Sequence, residues 1–106
     1  MSYASLLSEL KILCPDSYDA AAPAGLTRFV VAHRYAESSV YADDSNVWDF
    51  PRVQIDVYTQ SPDDSLPEDV KLLLRTWCCP YTVQSMAWDD DTALWRTILQ
   101  TEVISG

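Results

Sequence analysis

The chain has 106 residues, 48% hydrophobic and 11% aromatic, and a formal charge of −9. That length fits a single domain, 1–106, with enough apolar surface for a core that needs no disulfide or metal staple. No apolar run approaches the ~18 residues of a membrane span and no signal peptide opens the chain. The seven basic residues are scattered, which disfavours ordinary nucleic-acid binding, and three cysteines without a leader fit a reducing compartment.

From Ser2 to about Leu13, the residues Tyr3, Leu6, Leu7, Leu10 and Leu13 recur on one helical face, and Cys14-Pro15 stops the helix. Residues 16–25 read as a loop broken by Pro23 and Gly25. Thr27–Tyr35 reads as a strand, with Phe29, Val31, His33 and Tyr35 on one side and Arg28, Val30, Ala32 and Arg34 on the other. Glu37–Asn46 is polar at both ends, and Asp43-Asp44-Ser45-Asn46 has a turn composition. Val47–Gln60 is extended, and its second half alternates clearly: Val53, Ile55, Val57 and Thr59 against Gln54, Asp56, Tyr58 and Gln60. Pro51 cannot donate to a ladder, so it implies an edge, a bulge or a strand start.

Ser65 and Glu68 have capping-box spacing, and Pro67 is tolerated in a first turn. Val70, Leu73, Leu74 and Trp77 then give the stripe of a second helix, ended by Cys79-Pro80. Tyr81–Trp88 and Ala93–Ile104 read as the arms of a terminal hairpin joined through Asp89-Asp90-Asp91. The expected architecture is α+β and two-layered: an antiparallel sheet of about four strands, two helices on one face, in the order α-β-β-α-β-β.

Catalytic patterns are weak. His33 is the single histidine, set in a strand between apolar neighbours, where a hydrogen-bonded structural role is the better reading. Cys14, Cys78 and Cys79 lack the C-x₂₋₄-C spacing of zinc sites. Asp89-Asp90-Asp91 lacks the alternating oxygens and central glycine of a calcium loop, and two glycines in the whole chain leave no phosphate-binding loop. The expectation is a protein that is not an enzyme and takes no cofactor or metal. The aromatic surplus is more informative. Trp48, Phe50, Tyr58, Tyr81, Trp88 and Trp95 all fall on strands or their ends, and one helix layer can cover only one sheet face, so some of them point to assembly.

Three features make the chain resemble the tail-terminator or tail-completion proteins of long-tailed bacteriophages, which join head and tail at the neck. They are the strand Arg52-Val53-Gln54-Ile55-Asp56-Val57-Tyr58-Thr59, the acidic loop Tyr41-Ala42-Asp43-Asp44-Ser45-Asn46 before it, and the helix and terminal hairpin after it, with Trp88-Asp89-Asp90-Asp91 ahead of the last strand. The resemblance covers residues 1–104 in element order. It implies a virion structural protein, made in the host bacterial cytoplasm, that forms a ring, typically hexameric, between tail tube protein and head connector protein. It implies no catalysis and no membrane, and DNA passing through without specific binding. Candidate subunit or tube contacts are Tyr41, Asp43, Asp44, Trp48, Phe50, Gln54, Asp56 and Tyr58. An acidic lumen in such a ring would repel phosphates and let DNA slide.

The same −9 also suits a small acidic inhibitor that mimics DNA. Mimicry needs carboxylates spaced along one face, whereas ten of the sixteen acids cluster in three loops, within 43–49, 63–69 and 89–91. A metal-dependent enzyme using Asp89 and Asp91 is the weakest alternative.

Overall fold

A computed structural model describes residues 2–42 and 45–103, and the side chains of 2–35 and 52–103. Helix α1 (Tyr3–Leu13) begins where the Ser2 hydroxyl accepts a hydrogen bond from the Ser5 backbone N–H at 3.2 Å. It ends at Cys14, which leaves the helical region as a residue before proline must, while its own N–H still closes on the Leu10 carbonyl at 2.8 Å. Leu6 and Leu10 are the buried residues of its stripe.

The chain then forms strand β1 (Ser17–Asp19), where the sequence suggests a loop. β1 runs parallel to β2 (Phe29–Ala42), pairing Ser17 with Val30 and Asp19 with Ala32. The Ser17 hydroxyl lies within hydrogen-bonding distance of the Leu10 and Cys14 carbonyls, and the Tyr3 hydroxyl sits between the Asp19 carboxylate and the Ala32 carbonyl. Three residues tied to α1, Ser17 at its end and Asp19 at its start, therefore make a strand too short to alternate visibly.

β2 pairs antiparallel with β3 (Ser45–Thr59), β3 with β5 (Leu94–Glu102), and β5 with β4 (Tyr81–Asp89). The sheet is five-stranded and mixed, in the order β1-β2-β3-β5-β4. The α+β class holds. The four-stranded, wholly antiparallel sheet and the order α-β-β-α-β-β give way to α-β-β-β-α-β-β, because β1 adds a parallel edge. The polar stretch 37–46 is also more regular than its composition suggests. β2 continues to Ala42 and β3 resumes at Ser45, with Tyr41 opposite Asn46, so ladder pairing overrides turn propensity there.

Between β3 and β4 lies α2 (Leu66–Thr76). Its start corrects the capping box: Ser65 makes no side-chain cap, and Asp64 Oδ1 instead accepts from the Leu66 backbone N–H at 2.9 Å. Glu68 turns outward to Lys71, 2.7 Å away, instead of reaching back.

Both helices cover the same sheet face. Leu6 and Leu10 of α1 and Leu66, Val70 and Leu74 of α2 share one core with Val30, Ala32, Val53, Ile55, Val57 and Leu99. Burying each leucine, isoleucine and valine of that set contributes roughly 1.5–3 kcal/mol. α1 lies toward β1 and α2 over β3; Tyr81 of β4 packs against this core, while Val83, Met86 and Trp88 farther along β4 stay half-exposed.

Candidate functional site

The sheet face away from the helices is built by alternation. Phe29, Val31 and His33 of β2 stand opposite Tyr58, Asp56 and Gln54 of β3, and β5 sets Arg96, Ile98 and Gln100 against the same three β3 residues. Loop 20–28 folds over one end of this face, packing Ala22 and Leu26 on Phe29, Val31 and Leu94. Between that loop and the β4–β5 turn lies a cleft of about 650 Å³ whose polar lining includes His33, Asp56, Tyr58, Asp91 and Thr92.

At the centre of the face is a fixed polar cluster. Asp56 is 5% exposed, and both of its carboxylate oxygens are occupied: Oδ1 accepts from Gln54 Nε2 at 3.0 Å and Oδ2 from Arg96 Nη2 at 2.7 Å. Burial works against the Arg96 charge, but the hydrogen bond and charge of Asp56 outweigh it and hold the guanidinium above its ordinary value. The Arg96 guanidinium also lies 5.7 Å from the centre of the Tyr58 ring, which stacks on Phe29 at 4.4 Å with the planes 12° apart. Burial pushes the Tyr58 hydroxyl upward, with Arg96 pulling the other way. Asp56 is thus committed to internal partners, and the cleft presents one imidazole to which, among the described residues, no nucleophile is hydrogen-bonded. Among the described residues no three His, Cys, Asp or Glu side chains gather as a metal site would require.

The contact residues expected from sequence are distributed unevenly. Gln54, Asp56 and Tyr58 come together on this open face. The backbone of Tyr41, Trp48 and Phe50 lies in the stretch of β2 and β3 beyond the reach of β1 and β5, where Trp48 pairs with Val40 and Phe50 with Ser38. Asp43 and Asp44 fall outside the described residues. Arg96, which locks Asp56 from 40 residues away in the chain, was not legible as a partner, because nothing local marks it.

A second surface also escapes sequence reasoning. The outermost strand, β4, exposes Val83, Met86 and Trp88 on the helix side of the sheet, at 47%, 48% and 49%. Trp88 meets Trp95 edge to face at 5.8 Å. The register shifts between Val83 and Ser85, so Gln84 has no ladder partner and simple alternation fails along this strand. Four basic side chains, Arg28, Arg52, Lys71 and Arg96, are engaged in ion pairs, which leaves little free positive surface on a chain of charge −9.

No family model matches this chain, and no curated protein is significantly similar to it. No helix among the described residues is long and apolar enough to cross a membrane.

Proposed function

We propose that this chain is a structural protein of a long-tailed bacteriophage virion, terminating the tail tube and joining it to the head connector as a homo-oligomeric ring, with six copies the number the resemblance implies. The observation that carries the reading is the β2–β3 ribbon. Strand pairing to β1 stops at Ala32 and pairing to β5 stops at Arg52, so 36–42 and 45–51 pair with each other and, among the described residues, with no third strand. A two-stranded ribbon on its own is marginal in water, and a neighbouring subunit or tube supplies what it lacks. Acid surplus suits a conduit for DNA, since repelled phosphates slide without sticking. The DNA-mimic alternative is favoured by no comparable feature: Asp56, Asp64, Glu68 and Glu102 are already paired with bases, which removes them from any phosphate-like array.

The test is light scattering across a wide concentration range with and without purified tail tubes, followed by electron microscopy of the tube ends. A ring in solution or at the tube end is the expected result. A chain that ignores tubes at every concentration overturns the reading. Replacing 39–49 with a two-residue turn, which leaves the paired residues Ser38 and Phe50 to flank it, should keep the fold and abolish tube-end binding.

A further inference from the structure

We infer that the outer edge of β4 pairs with β4 of a second copy, antiparallel about a two-fold axis, extending the sheet across the two chains. The inference concerns a different surface from the ribbon and does not depend on the ring.

An edge strand presents unpaired N–H and C=O groups, and proteins usually blunt such an edge with lysine, proline, inward charge or a bulge. Of these β4 has the bulge alone: along 81–88, Tyr-Thr-Val-Gln-Ser-Met-Ala-Trp carries no charged residue and no proline, in a chain with one acidic residue in every six or seven. That neutrality singles out the occupant. In a chain of charge −9, this edge can face a second copy of itself without like charges opposed.

The pattern of faces supports the same occupant. Tyr81, Val83, Met86 and Trp88 stand opposite Thr101, Leu99, Thr97 and Trp95 of β5, all on the helix side, while Thr82, Ser85 and Ala87 lie on the other side. The bulge at Gln84 causes this, since without it Val83 and Met86 would point to opposite faces. Two copies of β4 then match in one register: Tyr81 opposite Trp88, Thr82 opposite Ala87, and Val83 opposite Met86, with each pair on a common face. The polar residues Gln84 and Ser85 meet at the axis. The next pair would be Pro80 with Asp89, where proline has no N–H to give and Asp89 is held in its own turn by Thr92 at 2.8 Å. Moving the register two residues one way leaves Trp88 beyond the ladder, and the other way sets Ser85 against Met86 on opposite faces. A two-fold normal to the sheet keeps both helix layers on the same side, so the half-exposed Val83, Met86 and Trp88 of both copies merge into one apolar seam.

The test uses the full chain without tail tubes, by sedimentation velocity over a wide concentration range. The wild type should pass from monomer to dimer. Val83→Lys and Met86→Glu, each at a half-exposed site and each checked for an unchanged thermal melt, should weaken the dimer by ~tenfold or more, because each sets a charge against an apolar partner. An equimolar mixture of the two variants should regain a dimer, since residue 83 of one copy faces residue 86 of the other. A wild type that stays monomeric, a Val83→Lys chain that dimerises normally, or a mixture that stays monomeric would each overturn the pairing. A ring on tail tubes that survives Val83→Lys, with a monomeric wild type off the tubes, would sink the β4 pair and leave the ring standing. A dimer lost in Val83→Lys, from a chain that never binds tubes, would do the reverse.

Discussion

The two faces of β3 are built on different principles. On the helix side Val53, Ile55 and Val57 are fully buried among aliphatic neighbours from both helices. On the open side, one residue out of step, Gln54, Asp56 and Tyr58 are held by directed contacts: a carboxylate shared between an amide and a guanidinium, and a ring stacked on Phe29. The aliphatic face takes its stability from area, whereas the polar face takes its geometry from partners that must all be present. A single strand thereby gives one side that sets the fold and another whose shape is fixed without a second helix layer.

Substitutions on the two sides should separate these contributions. The largest effect belongs to the aliphatic face: Ile55→Ala should lower unfolding free energy by ~2–5 kcal/mol in chemical denaturation, through lost burial and the cavity left behind. Asp56→Ala should cost less, ~1–3 kcal/mol, because Arg96 is one-third exposed and can recover water when its partner is gone. The double variant with Arg96→Ala should cost clearly less than the two single losses together. Additivity would mean that the pair is not coupled.

Away from both faces, Asp64 tests the start of α2. The Arg28 hydrogen bond, aided by the Leu66 N–H, holds its carboxyl below the usual value, against the opposing effect of burial. A lowered carboxyl contributes stability that is present above its unfolded value and lost as pH falls through the folded one. Asp64→Asn should therefore flatten the loss of stability below pH ~4. Asp64→Ala should in addition cost ~1 kcal/mol at neutral pH through the missing cap. The smallest change is expected for Arg52→Ala, whose partner Glu102 is also well exposed at 3.3 Å: ~0.5 kcal/mol or less, within the scatter of a melt.

What the sequence reveals follows from how far each signal reaches. The alternation of Val53–Thr59 and the α1 stripe are local and survive, and so does the α2 stripe except for Trp77, which lies past the last helical residue as its C-cap and is half exposed. β1 leaves no pattern because it is three residues long and held by α1 and β2. The pairing of 36–42 with 45–51 hides behind a polar composition. The α2 cap is misread by one residue, since Asp64 and Ser65 are both good caps and only the backbone chooses between them. Of the open-face cluster, the three β3 residues are visible as one side of a strand, but Arg96 is not, because the contact spans 40 residues. The apolar stripe of β4 is concealed by its own bulge, which breaks the period that would announce it.

Ala20, Cys78 and Ala93 adopt φ angles of 69°, 57° and 56°, in a chain that has two glycines in all. A left-handed residue with a side chain costs roughly 1–2 kcal/mol, more than the extra unfolded-state freedom a glycine would bring. These three turns are thus unused room for thermal adaptation. Replacing Ala20 or Ala93 with glycine would raise the melting temperature while leaving the sheet faces and the β4 edge untouched.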